Sequence, residues 1–170
     1  MAGHNRHLRG EQGTIIADVH GNTTVEPGDL MFIDATSGVR GASATADNYV
    51  YPFNLAVNSA SPGTGIEYGI YNNFAGVAME GSAAGVTEKI TIATEGVFRL
   101  PLYAVTGTTI GALVSSVSTQ SSASGVSKDA VIVYGHTRAT TAYLGYVVKT
   151  ESGASFVDFE IRTKFTGLAS

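Results

Sequence analysis

Residues Phe74 to Leu102 read FAGVAMEGSAAGVTEKITIATEGVFRLPL, and this strip decides the fold. Its apolar runs are broken by glycine-centred gaps and show no helical spacing. Ile90 and Ile92 alternate with Lys89 and Thr91, and Phe98, Leu100 and Leu102 alternate with Val97, Arg99 and Pro101. A period of two, rich in β-branched and aromatic residues and bounded by turn signals, specifies half-buried strands. Three strands are expected here.

Working outward, the same pattern recurs on both sides. Tyr143–Lys149 and Ser155–Lys164 flank Glu151-Ser152-Gly153-Ala154, a hairpin signal. In the second of these, Val157, Phe159 and Ile161 should face the core, with Asp158, Glu160, Arg162 and Lys164 in water. Upstream, Ile15–Val19 and Leu30–Ile33 are strand candidates joined through a turn at Glu26-Pro27-Gly28-Asp29. Tyr49–Val57 reads as a strand that Pro52 confines to an edge or a bulge. Ile66–Phe74 has apolar spacing that could fit one short helix, opposed by Gly69 and two asparagines. Ile110–Val117 and Ala130–Tyr134 complete the set, separated by a Ser-rich tract at 118–127 that reads as an exposed loop. Nine or ten short strands with almost no helix, and no fixed-period repeat, indicate an all-β single domain: a β-barrel or β-sandwich of mainly antiparallel strands. Residues 14–170 would form it. Residues 1–13 are polar and glycine-punctuated, an extended N-terminal arm that is either a free tail or ordered by a partner.

Composition limits the options. A chain of 170 residues can bury close to 70% of its unfolded surface, so it needs no staples. It contains no cysteine, which excludes disulfides, thiolate zinc sites and a cysteine nucleophile. Charged residues make up 14%, against about 25% in an average domain. Two readings follow: part of the surface is hidden against other subunits, or the domain is coated with Thr and Ser. The net charge of −4 and scattered basic residues argue against nucleic acid as a partner. The start, MAGHNRHLRGEQG, lacks the apolar stretch of a secretory signal, and no apolar run is long enough to span a membrane.

The search for chemistry leaves no catalytic, cofactor-binding or metal site to expect. Asp18 and His20 stand two apart on one strand face, but zinc needs three or four ligands and no second pair is evident. His4 and His7 could share a metal only on a helix that their glycine and asparagine neighbours disfavour. His136 sits in a hydroxyl-rich background without a nucleophile elbow. Gly63-Thr64-Gly65 with Gly69 has the wrong spacing for a dinucleotide loop. Glu88 and Glu95 suggest a glycosidase pair, without an aromatic sugar platform and without any Trp. Tyr49, Tyr51, Phe53, Tyr68, Tyr71 and Phe74 are either interface anchors or ordinary core and rim residues, and strand preference favours the core.

Four short segments, Pro27-Gly28-Asp29-Leu30, Phe74-Ala75-Gly76-Val77-Ala78, Glu95-Gly96-Val97-Phe98 and Thr109-Ile110-Gly111, occur in an order and spacing that resembles the phage capsid cement, or head decoration, proteins. The resemblance covers about Thr14 to Leu113. It implies a non-enzymatic β-barrel or β-sandwich subunit on the outer capsid surface of a virion, made in the host cytoplasm. There it would bind the major capsid protein, as a homotrimer near local three-fold axes. No catalytic residue is carried over. Many linked copies would convert modest single-site affinity into firm attachment, and an N-terminal arm can add a strand to an exposed sheet edge. The expected capsid or subunit contacts are therefore His4, Asn5, Arg6, His7 and Arg9. The competing readings are a tail, neck or head-fibre subunit, and a module that binds glycans or host surfaces.

Overall fold

The computed structural model describes residues 6–9, 13–35, 47–55, 73–105, 109–118, 126–134, 143–150 and 155–163. Their strands are β1 (Arg6–Arg9), β2 (Thr14–Val19), β3 (Leu30–Ile33), β4 (Val50–Pro52), β5 (Phe74–Ala78), β6 (Glu88–Ala93), β7 (Val97–Val105), β8 (Leu113–Ser118), β9 (Val126–Tyr134), β10 (Gly145–Lys149) and β11 (Phe156–Ile161). The protein is all-β. Strands β2-β4-β3-β5-β6 close a five-stranded barrel. The others form a six-stranded sheet in the order β1-β7-β11-β10-β8-β9, which curls until β9 also pairs with β7. Most pairings are antiparallel; β2 with β4 and β7 with β9 are parallel.

Strand alternation divides the core in two. Met31, Val50, Ala75, Ile90 and Ile92 point into the barrel with Val19, Val25 and Ala78, and Ile15, Ala17 and Ile33 pack against them. From the other side of the same barrel strands, Leu30, Phe32, Tyr51, Phe74 and Val77 face the six-stranded sheet. There they meet Phe98, Leu100, Val114, Val131, Val147, Val157 and Phe159. β3 is therefore buried on both faces, which is why its sequence, LMFI, has no polar residue. β2 is different. It carries Thr14, Ile16 and Asp18 outward into solvent, and among the described residues none of its side chains belongs to the cluster shared with the sheet.

Two local devices set this arrangement. In the first, the Asp29 side chain accepts the Glu26 N–H at 2.9 Å, Asp29 N–H donates to the Glu26 carbonyl at 3.1 Å, and Gly28 takes φ 96°. Pro27 and Gly28 thus occupy the two central positions of a turn that needs positive φ at the second. The second device is a bulge in β5. Met31 faces Gly76 but Phe32 faces Phe74, so Ala75 is an extra residue. The bulge shifts the alternation by one, which puts both Phe74 and Val77 on the sheet side. Gly76 sits there at φ 134°, and a Cβ would run into the Ala93 carbonyl oxygen.

Several expectations need correction. The strand expected at Tyr49–Val57 is only Val50–Pro52, followed by a 3-10 turn over Phe53–Leu55. Pro52 lies inside a closed barrel rather than at an edge. It is tolerated at the strand end because β2 pairs with β4 at Val50 alone. The strand expected from Ile110 begins at Leu113: Ala112 N–H bonds the Thr109 carbonyl, Gly111 takes φ 82°, and this turn leaves Ile110 71% exposed. β9 starts at Val126, so both ends of the expected Ser-rich loop belong to strands, and residues 119–125 lie outside the described residues. Residues 66–72, the rest of the segment ending at Phe74, and the hairpin residues 151–154 also lie outside them. Finally, Asp158 is not in water; it is buried on the outward face of β11 beneath Arg99.

Candidate functional site

The leader residues of the expected contact set separate in the structure. His4 and Asn5 lie outside the described residues. Arg6, His7 and Arg9 belong to β1, which pairs with β7 in the register Arg6↔Arg99, His7↔Phe98 and Arg9↔Val97. β11 holds one edge of β7, and β1 takes the opposite edge over Val97–Arg99. This part of the leader is therefore a strand on its own sheet, at an edge that β-proteins generally cover.

That register builds a charged row across the sheet. Arg6 stands opposite Arg99, Arg99 opposite Asp158, and Asp158 opposite Lys149. Arg99 donates from Nε to Asp158 Oδ1 at 2.6 Å and from Nη2 to Oδ2 at 3.0 Å. This two-pronged pair is the geometry that Arg favours with carboxylates. A second pair, Arg162 Nη2 to Glu160 Oε1 at 3.0 Å, lies in water beside it. Sequence reasoning placed Asp158 and Arg99 on wet faces but did not bring them together, because pairing register between distant strands is not written locally.

The Asp18–His20 pair has a different role from the one considered. Asp18 is exposed opposite Lys89. His20 Nδ1 accepts the Asn22 N–H at 3.2 Å, and its ring lies edge-on to Tyr49 at 5.4 Å and stacked on Tyr51 at 5.8 Å. The Tyr51 hydroxyl donates to Asp47 Oδ2 at 2.6 Å. From Tyr51 the file continues inward through Phe32, Phe53 and Phe74 with ring spacings of 5.8, 6.3 and 5.6 Å. His20 is thus the outer end of an aromatic file, and Tyr51, Phe53 and Phe74 are core residues. Tyr68 and Tyr71 lie outside the described residues, as do His136 and the glycines at 63–69. Among the described residues, no three His, Cys, Asp or Glu side chains stand close enough together to hold a metal ion. Glu88 opens β6 and Glu95 lies beyond its end. At strand rise this separates them by roughly 20 Å, too far for a glycosidase pair.

Two apolar spots complete the outer surface. On the barrel, Ile16 is 73% exposed opposite Thr91, and Met79, 36% exposed, bonds the Thr91 carbonyl from the other side. On the sheet, Phe156 is 46% exposed opposite Pro101. The sequence signal for Ile16 was present: in the alternation Thr14, Ile16, Asp18 it is the one apolar residue on the polar side. No known family, curated protein or solved structure matches this chain.

Proposed function

We propose that this is a non-enzymatic virion protein that binds the outer surface of a phage capsid and stabilises it, assembled as a homotrimer and contacting the major capsid protein. The observation that carries the reading is the ordered set of four segments, taken with what each does in the fold. Their glycines, Gly28, Gly76, Gly96 and Gly111, all take positive φ, at 96°, 134°, 124° and 82°. They lie at the entry to β3, in the bulge of β5, at the entry to β7 and at the turn before β8. Four of the five positive-φ glycines among the described residues, Gly85 being the fifth, thus fall in the segments whose order resembles the decoration proteins, and this supports the reading.

Two further features support contact rather than chemistry. Two of the three buried carboxylates among the described residues have structural tasks: Asp29 staples a turn and Asp158 pairs with Arg99. The uncovered barrel strands and the outer sheet face each display apolar side chains in a charge-poor chain. Mixing the purified protein with expanded, undecorated heads should give saturable binding and raise the heads' resistance to heat. Absence of binding to every head form would refute the proposal.

A further inference from the structure

Tyr143 and Tyr146 form an aromatic pair outside both cores. Their ring centroids lie 5.5 Å apart with the planes tilted by 53°. Both side chains are half-buried, yet neither belongs to the barrel interior or to the layer between barrel and sheet. Strand alternation explains their position. In β10, Gly145 and Val147 are buried on the inner face, so Tyr146 between them projects from the outer one. Leu113 of β8 stands opposite Tyr146 on one side and Glu160 of β11 on the other. Tyr143 lies just before the strand, across a bend at Leu144. The Arg162 N–H donates to the Leu144 carbonyl at 2.7 Å, which brings Arg162 alongside the same bend. Its guanidinium pairs with Glu160, Nη2 to Oε1 at 3.0 Å, and the two side chains are 47% and 41% exposed. An ion pair this open adds little to stability. It does fix a donor and an acceptor beside the two rings, with charges that cancel.

We propose that this corner of the outer sheet face binds neutral oligosaccharides, independently of whether the chain also binds a capsid. The chemistry of the corner selects the ligand. A sugar ring has a face rich in C–H groups and an edge of hydroxyls. The face needs an aromatic surface, and tyrosine offers one with a polar tip and little rotamer entropy to lose. The edge needs donors and acceptors at fixed positions. A guanidinium only donates and a carboxylate only accepts, whereas a hydroxyl does both. Neighbouring hydroxyls of one sugar can therefore bridge Glu160 and Arg162. The cancelled charge decides between ligand classes. A phosphate or an acidic sugar would meet the Glu160 carboxylate, and a cationic peptide would meet the Arg162 guanidinium. A neutral polyol opposes neither.

The test applies the full chain to surfaces that display neutral oligosaccharides of glucose, mannose, galactose and N-acetylglucosamine, where multivalent display raises a weak single-site affinity. Sulfated and uronic-acid polysaccharides are displayed beside them. The best neutral probe is then titrated in solution, where a Kd of about 1 mM is expected. Proton resonances of Tyr143 and Tyr146 should shift during the titration, a readout that needs no variant. Tyr146→Ala and Tyr143→Ala should each weaken binding roughly tenfold, whereas Tyr146→Phe, which keeps the ring, should retain most of it. Phe156→Ser removes an exposed ring elsewhere on β11 and should change nothing. Circular dichroism checks that the variants fold. Binding should also persist in about 1 M salt, where exposed charges are screened beyond ~3 Å. No binding to any neutral probe, a preference for the acidic polysaccharides, shifts confined to other residues, or unchanged affinity in the folded Tyr143→Ala and Tyr146→Ala chains would each overturn the proposal.

Discussion

The barrel interior and the layer between barrel and sheet are built from different side chains. Among the described residues the interior holds Val, Ile, Ala and one Met, with no aromatic ring. The layer between holds Phe32, Phe53, Phe74, Phe98, Phe159 and Tyr51. Geometry explains the difference. A five-stranded barrel is narrow, since barrel diameter grows with strand number. Facing sheets stand about 10 Å apart, which leaves room for interdigitated rings. Two regions of one small domain therefore impose opposite size limits, and β3 serves both with alternate residues.

The sharpest way to break this comparison is at the shared strand. Phe32→Ala removes a ring that touches both Tyr51 and Phe53. A loss of about 3–5 kcal/mol is expected in denaturant unfolding. Because β3 belongs to both cores, barrel and sheet should unfold in one transition. Two separate transitions would show that the layers are independent.

The outer faces offer a second contrast. Arg99→Ala leaves Asp158 buried with its carboxylate stripped of both guanidinium bonds, whereas Asp158→Ala leaves the charge of Arg99 on a side chain that is 41% exposed. A stranded buried charge costs more than a solvated one. The expected losses are about 2 kcal/mol for Arg99→Ala and about 1 kcal/mol for Asp158→Ala, measured as shifts in the unfolding midpoint. Equal effects would mean that Asp158 is more open to water than its 7% side-chain exposure indicates.

These contrasts also mark what was legible in the sequence. The strands of the 74–102 strip and the last hairpin could be read because alternation is local. The turn at Glu26–Asp29 could be read because Pro fixes φ at one central position and Gly admits the positive φ needed at the next. The double burial of LMFI was visible as an absence of polar residues, but not which residue faced which core. The bulge at Gly76 was hidden, because FAGVA has no alternation to interrupt. The Arg99–Asp158 pair and the file from His20 to Phe74 depend on partners tens of residues apart. No window of sequence contains them. For the contact set, the residue types of the leader were readable, and its pairing with β7 was not.

Within the barrel interior a smaller change is informative. Ile92→Val removes one methylene from a fully buried side chain. A cost of about 0.5–1.5 kcal/mol is expected, read by thermal unfolding. If the narrow interior is tightly filled, Ile92→Phe should be worse, since overpacking forces neighbours off their rotamers. A well-tolerated Phe would mean that the interior has spare volume, and the size contrast between the two cores would fail.

The smallest effect on stability is expected at the leader, whose β1 is a single short edge strand. Deleting residues 1–10 removes β1, four residues on one edge of β7. Gly13 remains, and its carbonyl still accepts the Thr94 N–H at 2.8 Å. Loss of a short edge strand should change stability by no more than about 0.5 kcal/mol, so the melting curve should barely move. Binding to heads should weaken markedly if the leader supplies contacts, because its basic residues and its strand go together. Unchanged affinity would refute the leader's role in attachment. A large fall in melting temperature would place β1 within the structural core, and the edge of β7 could then not be exposed without cost to the fold.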